Sequence, residues 1–427
     1  MNAHTLKKIR TVGDVTEYQL SNGLRVLYKR ETAAPVVAVC ITFHVGSRNE
    51  AAGHTGSTHI LEHLLFKDSK KFNQKNGKAI TDYLEWFGAN INATTWLDRT
   101  NYFELLPRER LAEALALEAD RMRGSLFNEA DLKSEMTVVR NEYERSRNDP
   151  FELLDEAVTA AVYTTHPYRI PTIGTKEDIE HSTAAKLREF YDTYYWPNNA
   201  TLAIMGDVSR IEIETLVLKE FGPIPHSPHE IPTMTVVEPQ QTKARSVSLV
   251  KPMGVSIGIL AYKVPEATHK DLPALQVLAV ILGGGFGSRL QKALVDKGLA
   301  ADVAARVLAL HDPGTMECIA HCANRVKPQR VINVMREEIA ACAKKAPTRT
   351  EIAHAQERIF AEIAKERDGV FIEVLVVSEA IAAGDWTLAY RLEDLIKKVT
   401  PSDIVRVAKT YLSPKQETSG VLLEASS

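Results

Sequence analysis

Cysteine is scarce in this chain: Cys40, Cys318, Cys322 and Cys342 are the only four in 427 residues. So few thiols exclude a disulfide scaffold, and they read as buried small side chains. Cys318 and Cys322 fall on one face of a strand-like run over 315–323, with His321 on the other. A second metal centre is therefore not expected there. An excess of one charge is missing too. The 52 Lys and Arg interleave with 55 Asp and Glu for a net charge of −3, which argues against nucleic acid or an anionic membrane as partner. No apolar run approaches the roughly 18 residues of a membrane span; the longest, over 275–282, is far too short. The first eight residues lack the apolar centre of a signal peptide. The abrupt start favours a mature periplasmic protein whose signal has been removed, over the cytoplasmic location that free thiols would suit. The glycine run Gly283–Gly287 lacks the Lys-Ser/Thr pair of a phosphate loop and reads as a flexible turn between helices.

What is present is an ordinary globular composition, 44% hydrophobic and 25% charged, at a length that suggests two or three domains. Residues 14–30 alternate about a Ser21-Asn22-Gly23 turn and predict a hairpin. Apolar spacing predicts helices over 79–87, 108–123, 130–147, 151–163, 184–195 and 211–221, and strands over 36–45, 89–95, 100–106 and 200–206. The stretch 223–241 carries Pro223, Pro225, Pro228, Pro232 and Pro239 without periodicity, which predicts an extended linker. Beyond it come strands over 246–250 and 256–264 and helices over 272–282 and 288–297. Thr193-Tyr194-Tyr195-Trp196-Pro197 and Thr410-Tyr411-Leu412-Ser413-Pro414 close helices before strands in the two halves. This echo points to a duplicated α+β unit. The expected division is a domain over 1–224, a linker over 225–243 and a homologous domain over 244–427.

The stretch 53–66 runs from a glycine-punctuated loop into an apolar helical segment bearing His59, Glu62 and His63. Residues four apart share a helix face, so both imidazoles can converge on one metal ion with the Glu62 carboxylate nearby. Two imidazoles and a carboxylate base are the parts of a zinc hydrolase, and His-x-x-Glu-His is the inverted form of the commoner motif. A catalytic zinc generally takes a third protein ligand. The helix over 130–147 offers Glu135 and Glu142, two turns apart on one face, with Glu144 pointing elsewhere.

His59-x-x-Glu62-His63 followed downstream by Glu135 and Glu142 resembles the pitrilysin, insulysin and mitochondrial-processing-peptidase family of zinc peptidases. Supporting stretches are 61–67, 88–95, 98–102, His166-Pro167-Tyr168 and 195–199, in family order. The likeness is sharp in the first half and weaker in the second. It implies an α+β fold of two homologous domains, each an antiparallel-rich sheet flanked by helices, together forming half of a clamshell. By the same resemblance His59, His63 and Glu142 would bind one zinc ion per chain. Glu62 would be the general base, and Glu135 would orient a ligand histidine. Asn92 and Ala93 would lie on an edge strand that binds extended peptides through main-chain hydrogen bonds.

One part of the pattern departs. Family members commonly carry an Arg and a Tyr, which stabilise the oxyanion, at places held here by Val295 and Ala301. Arg289 lies too early and is expected to be structural. A zinc endopeptidase working as one subunit of a heterodimer follows, its homologous partner supplying the missing pair. A homodimer using other donors is the milder form, and a processing peptidase for leader sequences or a non-catalytic scaffold subunit are the alternatives. The short form suggests a bacterial source.

Overall fold

The computed structural model describes residues 5–425, which form two compact units, each a sheet with helices. The first gathers the chain up to Tyr143, Pro171–Thr235 and Glu366–Tyr390. The second gathers Glu144–Ile170, Val236–Lys365 and the chain from Arg391 onward. These units do not follow the contiguous division 1–224, 225–243 and 244–427: each half of the chain lends a segment to the other's unit.

The first sheet contains β1 (Leu6–Val12), β2 (Val15–Leu20), β3 (Arg25–Arg30), β4 (Val36–Phe43), β5 (Asn90–Thr95), β6 (Thr100–Pro107) and β7 (Ala200–Gly206). Their spatial order is β1-β2-β3-β7-β4-β6-β5. The second contains β8 (Arg245–Lys251), β9 (Ile257–Lys263), β10 (Ala300–Leu308), β11 (Thr315–Cys322) and β12 (Glu417–Glu424), ordered β10-β11-β9-β12-β8. The run β3-β7-β4-β6-β5 repeats as β8-β12-β9-β11-β10. In each the first pair is parallel and the rest antiparallel. The duplication read from one Thr-Tyr echo thus extends through five strands.

The helices between β4 and β7 are α1 (Ser57–Leu64), α2 (Ile80–Glu85), α3 (Leu111–Gly124), α4 (Glu129–Ser146), α5 (Pro150–Val162), α6 (Lys176–Glu180) and α7 (Ala184–Tyr194). After β7 come α8 (Arg210–Glu220), α9 (Leu272–Gly283), α10 (Pro328–Lys344), α11 (Arg349–Glu366), α12 (Val370–Ala382), α13 (Leu388–Lys397) and α14 (Pro401–Tyr411). Thr183 and Thr400 cap α7 and α14, both 11 residues long, by accepting from the backbone N–H three residues on.

The exchanged segments carry α5 and α12. Leu154, Val158 and Val162 of α5 are buried, and the helix lies on β8, β9 and β12. Gly420 permits that approach, since a Cβ there would stand 2.2 Å from Val158 Cγ2. Val370, Val374, Val377 and Ile381 of α12 join Leu27, Cys40, Phe103 and Met205 in a core under the first sheet. Polar ties fix that helix: Ser378 Oγ lies 2.8 Å from Thr42 Oγ1, and Lys29 Nζ donates to Glu373 at 2.8 Å.

The copy is incomplete where α8 packs. In the first unit Val208, Ile213, Val217 and Phe221 cover Leu24, Val26 and Tyr28. Among the described residues no helix follows β12, and β8 offers exposed Ser246 and Ser248 at the places of Val26 and Tyr28. Two further details differ from the sequence reading. The strand β1 lacks the alternation that would announce it and pairs with β2 through a register shift. The helix expected over 288–297 spans 289–295 and widens in its last turn, where Asp296 N–H closes on Gln291 O, five residues apart.

The proline-rich segment has no regular structure over 228–244, but it is tied down. The Glu238 carboxylate accepts from the amides of Thr164, Thr165 and His166 at 2.9–3.0 Å.

Candidate active site

The helix α1 is only 8 residues long, too short to hold itself in water, so packing and capping must hold it. Ile60, Leu61, Leu64 and Leu65 are buried, each side chain contributing on the order of 1.5–3 kcal/mol relative to exposure. Ile60 and Leu64 meet Leu132, Met136 and Val139 of α4 in one small core. Leu61 and Leu65 face the main core of the unit. The remaining stripe of α1, His59 with His63, is thereby turned toward the carboxylates that α4 carries beside its apolar residues.

The start of α1 is fixed just as closely. Gly56 adopts φ +84°, and a Cβ on it would meet Ile173 O at 2.4 Å, so only glycine fits. Having no side chain to cap with, Gly56 leaves the first amides to Glu50. That carboxylate accepts from Gly56 N at 2.8 Å and from Thr58 N at 2.7 Å. Burial pushes the Glu50 carboxyl up to about 7 despite these donors. Asp178 of α6 holds the preceding residue, accepting from Thr55 Oγ1 at 2.6 Å and from Thr55 N at 3.1 Å.

At the centre Glu142 Oε2 lies 3.5 Å from His59 Nε2 and 3.7 Å from His63 Nε2. One donor atom from each of the three residues lies within 4.8 Å of the others. No other such group of His, Cys, Asp or Glu occurs among the described residues. The two imidazoles stand edge to face with centroids 4.8 Å apart. Burial, and next the neighbouring His63, lowers the His59 imidazole to about 4, so it is neutral, as a metal ligand must be. His63 Nδ1 lies 3.1 Å from Glu135 Oε2, which leaves Nε2 facing Glu142.

This donor set fits a tetrahedral cation. Bond lengths near 2.1 Å to nitrogen and oxygen put neighbouring donors about 3.4 Å apart, close to the separations from Glu142. The composition, two imidazoles and one carboxylate, is that of hydrolytic zinc sites that keep a fourth position for water.

Glu62 shares the helix, and burial raises its carboxyl above the ordinary value, which suits a proton acceptor working near neutrality. Asn92 and Ala93 lie on β5, the outer strand of the sheet, which among the described residues pairs only with β6. Asn92 is exposed, its Oδ1 accepting from Ala93 N at 2.9 Å, while Ala93 is buried. Arg99 donates to Thr94 O at 2.8 Å and Thr94 Oγ1 at 2.7 Å and pairs with Glu379 of α12, fastening β5 from its end. The α1 helix lies beside β5.

In the second unit Arg289 donates to Glu351 Oε1 at 2.8 Å, with its Nη1 3.2 Å from Cys342 Sγ. That is the structural employment expected of it. Val295 packs against the second core and Ala301 is exposed.

Sequence reasoning missed Glu50, Asp178, Arg99 and Lys67, whose Nζ is 2.7 Å from Glu135 Oε1. Lys67 had a usable signal, standing one helical turn beyond His63. The others act across loops, where no periodicity marks them.

A sheet-and-helix unit with an inverted histidine pair facing a downstream glutamate defines a metallopeptidase-type architecture. Residues 25–176 match Insulinase (Peptidase family M16), and residues 181–359 match the Peptidase M16 inactive domain. Among curated relatives, zinc protease PqqE of Helicobacter pylori is 33% identical over 417 residues, 94% of this chain and 90% of that protein. The uncharacterized zinc protease YmxG of Bacillus subtilis is 27% identical over 347 residues, 81% of this chain and 82% of that one. The crystal structure of a protease from Helicobacter pylori superposes with a TM-score of 0.91 at 29% identity, covering 96% of this chain and 100% of that one. A peptidase M16 inactive domain from Pseudomonas fluorescens shares the fold, with a TM-score of 0.85 at 19% identity over 97% of this chain and 99% of that one. The chain belongs to peptidase family M16.

Proposed function

We propose that this chain is a zinc-dependent endopeptidase that cleaves peptides or unfolded segments held in extended form. The observation that carries the reading is the convergence of His59 Nε2, His63 Nε2 and the Glu142 carboxylate. Those three residues would hold one zinc ion, and Glu135 would orient His63. A bound zinc ion supplies a water acidic enough to ionise near neutral pH and an electrophile for the scissile carbonyl. Glu62 takes a proton from the attacking water and returns it to the leaving amine. The free edge of β5 at Asn92 and Ala93 takes the substrate as an added strand, reading backbone more than side chains.

Oxyanion stabilisation is the missing part. With Val295 and Ala301 where the family commonly has Arg and Tyr, the chain acts as the zinc-bearing subunit of a heterodimer whose homologous partner supplies that pair. The match of 181–359 to an inactive domain fits a second half that carries no zinc site of its own. The missing pair alone would also suit a second reading, a scaffold subunit without activity, but such subunits usually lose zinc ligands and this chain keeps His59, His63 and Glu142. A leader-processing peptidase differs from the first only in substrate. We place the protein in the periplasm; among the described residues no helix is long and apolar enough to cross a membrane.

Metal analysis of the chain purified from its native source, with peptide hydrolysis assayed before and after separation from co-purifying homologues, tests the proposal. One zinc per chain and activity abolished by Glu62→Gln are expected, with full rate only in the presence of the partner. Absence of zinc at neutral pH favours the scaffold, and full activity of the isolated chain overturns the heterodimer.

A further inference from the structure

We propose that Lys67 is a positioning residue for the metal centre, acting through Glu135 on His63. The inference rests on the zinc reading above and goes beyond it by assigning a function to a side chain that touches no ligand atom. Lys67 follows α1 on a turn in which its N–H reaches Leu64 O at 3.0 Å, and this places its ammonium against α4. There the two oxygens of Glu135 have one partner each. Oε2 faces His63 Nδ1 at 3.1 Å, and Oε1 takes Lys67 Nζ at 2.7 Å.

The arrangement removes an ambiguity that a single contact would leave. The Glu135 side chain is 10% exposed, with little water to occupy a free oxygen. A carboxylate bound through one oxygen can rotate about its last torsion and trade that oxygen for the other. With the ammonium against Oε1, rotation pulls apart a close ion pair, so Oε2 stays on the His63 ring. The His63 proton is then held at Nδ1, and the Nε2 lone pair stays aimed at Glu142. Lys67 itself is 36% exposed on its side chain, so its replacement leaves the apolar contacts of α1 and α4 intact.

The test is zinc affinity, by chelator competition, and zinc release rate for the full chain and for Lys67→Met, Lys67→Arg, Glu135→Gln and the Lys67→Met/Glu135→Gln pair. Circular dichroism serves as the folding check, with Lys67→Gln as a second variant. Loss of a group bonded directly to a ligand typically weakens binding 10–100-fold, so a group one bond further out is expected to cost about 3–10-fold. Lys67→Arg restores affinity to within about two-fold, since a guanidinium donates to the same oxygen. Lys67→Met adds nothing once Glu135 is Gln, because the two act as one unit. Wild-type affinity in Lys67→Met, or an equal loss with and without Glu135, overturns the assignment. A wild-type chain that takes up no zinc overturns the metal reading, and this assignment with it.

Discussion

At the scale of single residues the chain places charge where it is least easily tolerated. Glu104, Glu118 and Arg121 are fully buried. Arg121 Nη1 is 2.9 Å from Glu118 Oε1. Its guanidinium lies over the rings of Tyr102 and Phe66, 4.4 and 5.0 Å from their centroids, so the cluster adjoins the segment that follows the metal helix. One cation cannot balance two carboxylates in such a place. Burial, and next the Glu118 charge, pushes the Glu104 carboxyl well above its ordinary value, which favours its protonated form. Glu104→Gln keeps the shape of the protonated side chain and is expected to cost no more than the roughly 1 kcal/mol of a neutral hydrogen bond. Arg121→Met strands a buried negative charge and is expected to cost about 3–5 kcal/mol. Urea unfolding of the two variants checks the difference; equal losses would mean that Glu104 is ionised. None of this was legible in the sequence, where the three residues look like polar faces of a strand and a helix. His59, Glu62 and His63 were legible because one helical turn brings them together. Glu142 was placed by resemblance alone, since nothing local links it to a helix so far upstream.

At the scale of elements, boundaries set by local chemistry were read well and those set by distant partners were not. The strand β7 was delimited to the residue by its apolar run, and α4 to within one residue at each end. The start of α1 depends on Glu50, on a separate turn, and this carries a prediction. Glu50→Ala leaves the amides of Gly56 and Thr58 unpartnered and should cost about 1–2 kcal/mol, as lost caps do. It should also hasten zinc release, readable by chelator capture. The linker carries another. Burial disfavours ionisation of Glu238, but the amides of Thr165, His166 and Thr164 outweigh it and hold the carboxyl down at about 2, against an ordinary 4.5. A lowered carboxyl contributes stability that is fully present above the unfolded value and lost as protons bind the folded form. The tie should therefore stand above about pH 4.5 and fade as pH falls toward 2. Glu238→Gln should destabilise the protein by on the order of 1–3 kcal/mol at pH 7 and by progressively less below pH 4. Denaturant midpoints measured in parallel at pH 7 and pH 3 check this, and a gap that does not narrow would refute it.

At the scale of the molecule the sequence showed two related halves but not that they trade helices. Periodicity reveals that α5 and α12 each have an apolar face; it does not say which sheet receives it. In the structure α5 belongs to the second unit and α12 to the first, so neither half of the chain carries a complete core. The first half alone would expose the face bearing Leu27, Cys40, Phe103 and Met205, which Val374, Val377 and Ile381 otherwise cover. Uncovering an apolar sheet face of that size gives an aggregation-prone surface. The linker, by contrast, is largely exposed and irregular over 228–240, the kind of segment a protease cuts first. A single cut there should leave both cores intact, each still holding its helix from the other half. The nicked protein is thus expected to elute from a sizing column as one species of unchanged size, and to separate into two fragments only in denaturant. Residues 1–224 expressed alone should be insoluble, and co-expression with 244–427 should rescue them. Separation of the nicked halves without denaturant, or a stable monomeric 1–224, would show that the exchanged helices are dispensable to the cores they complete.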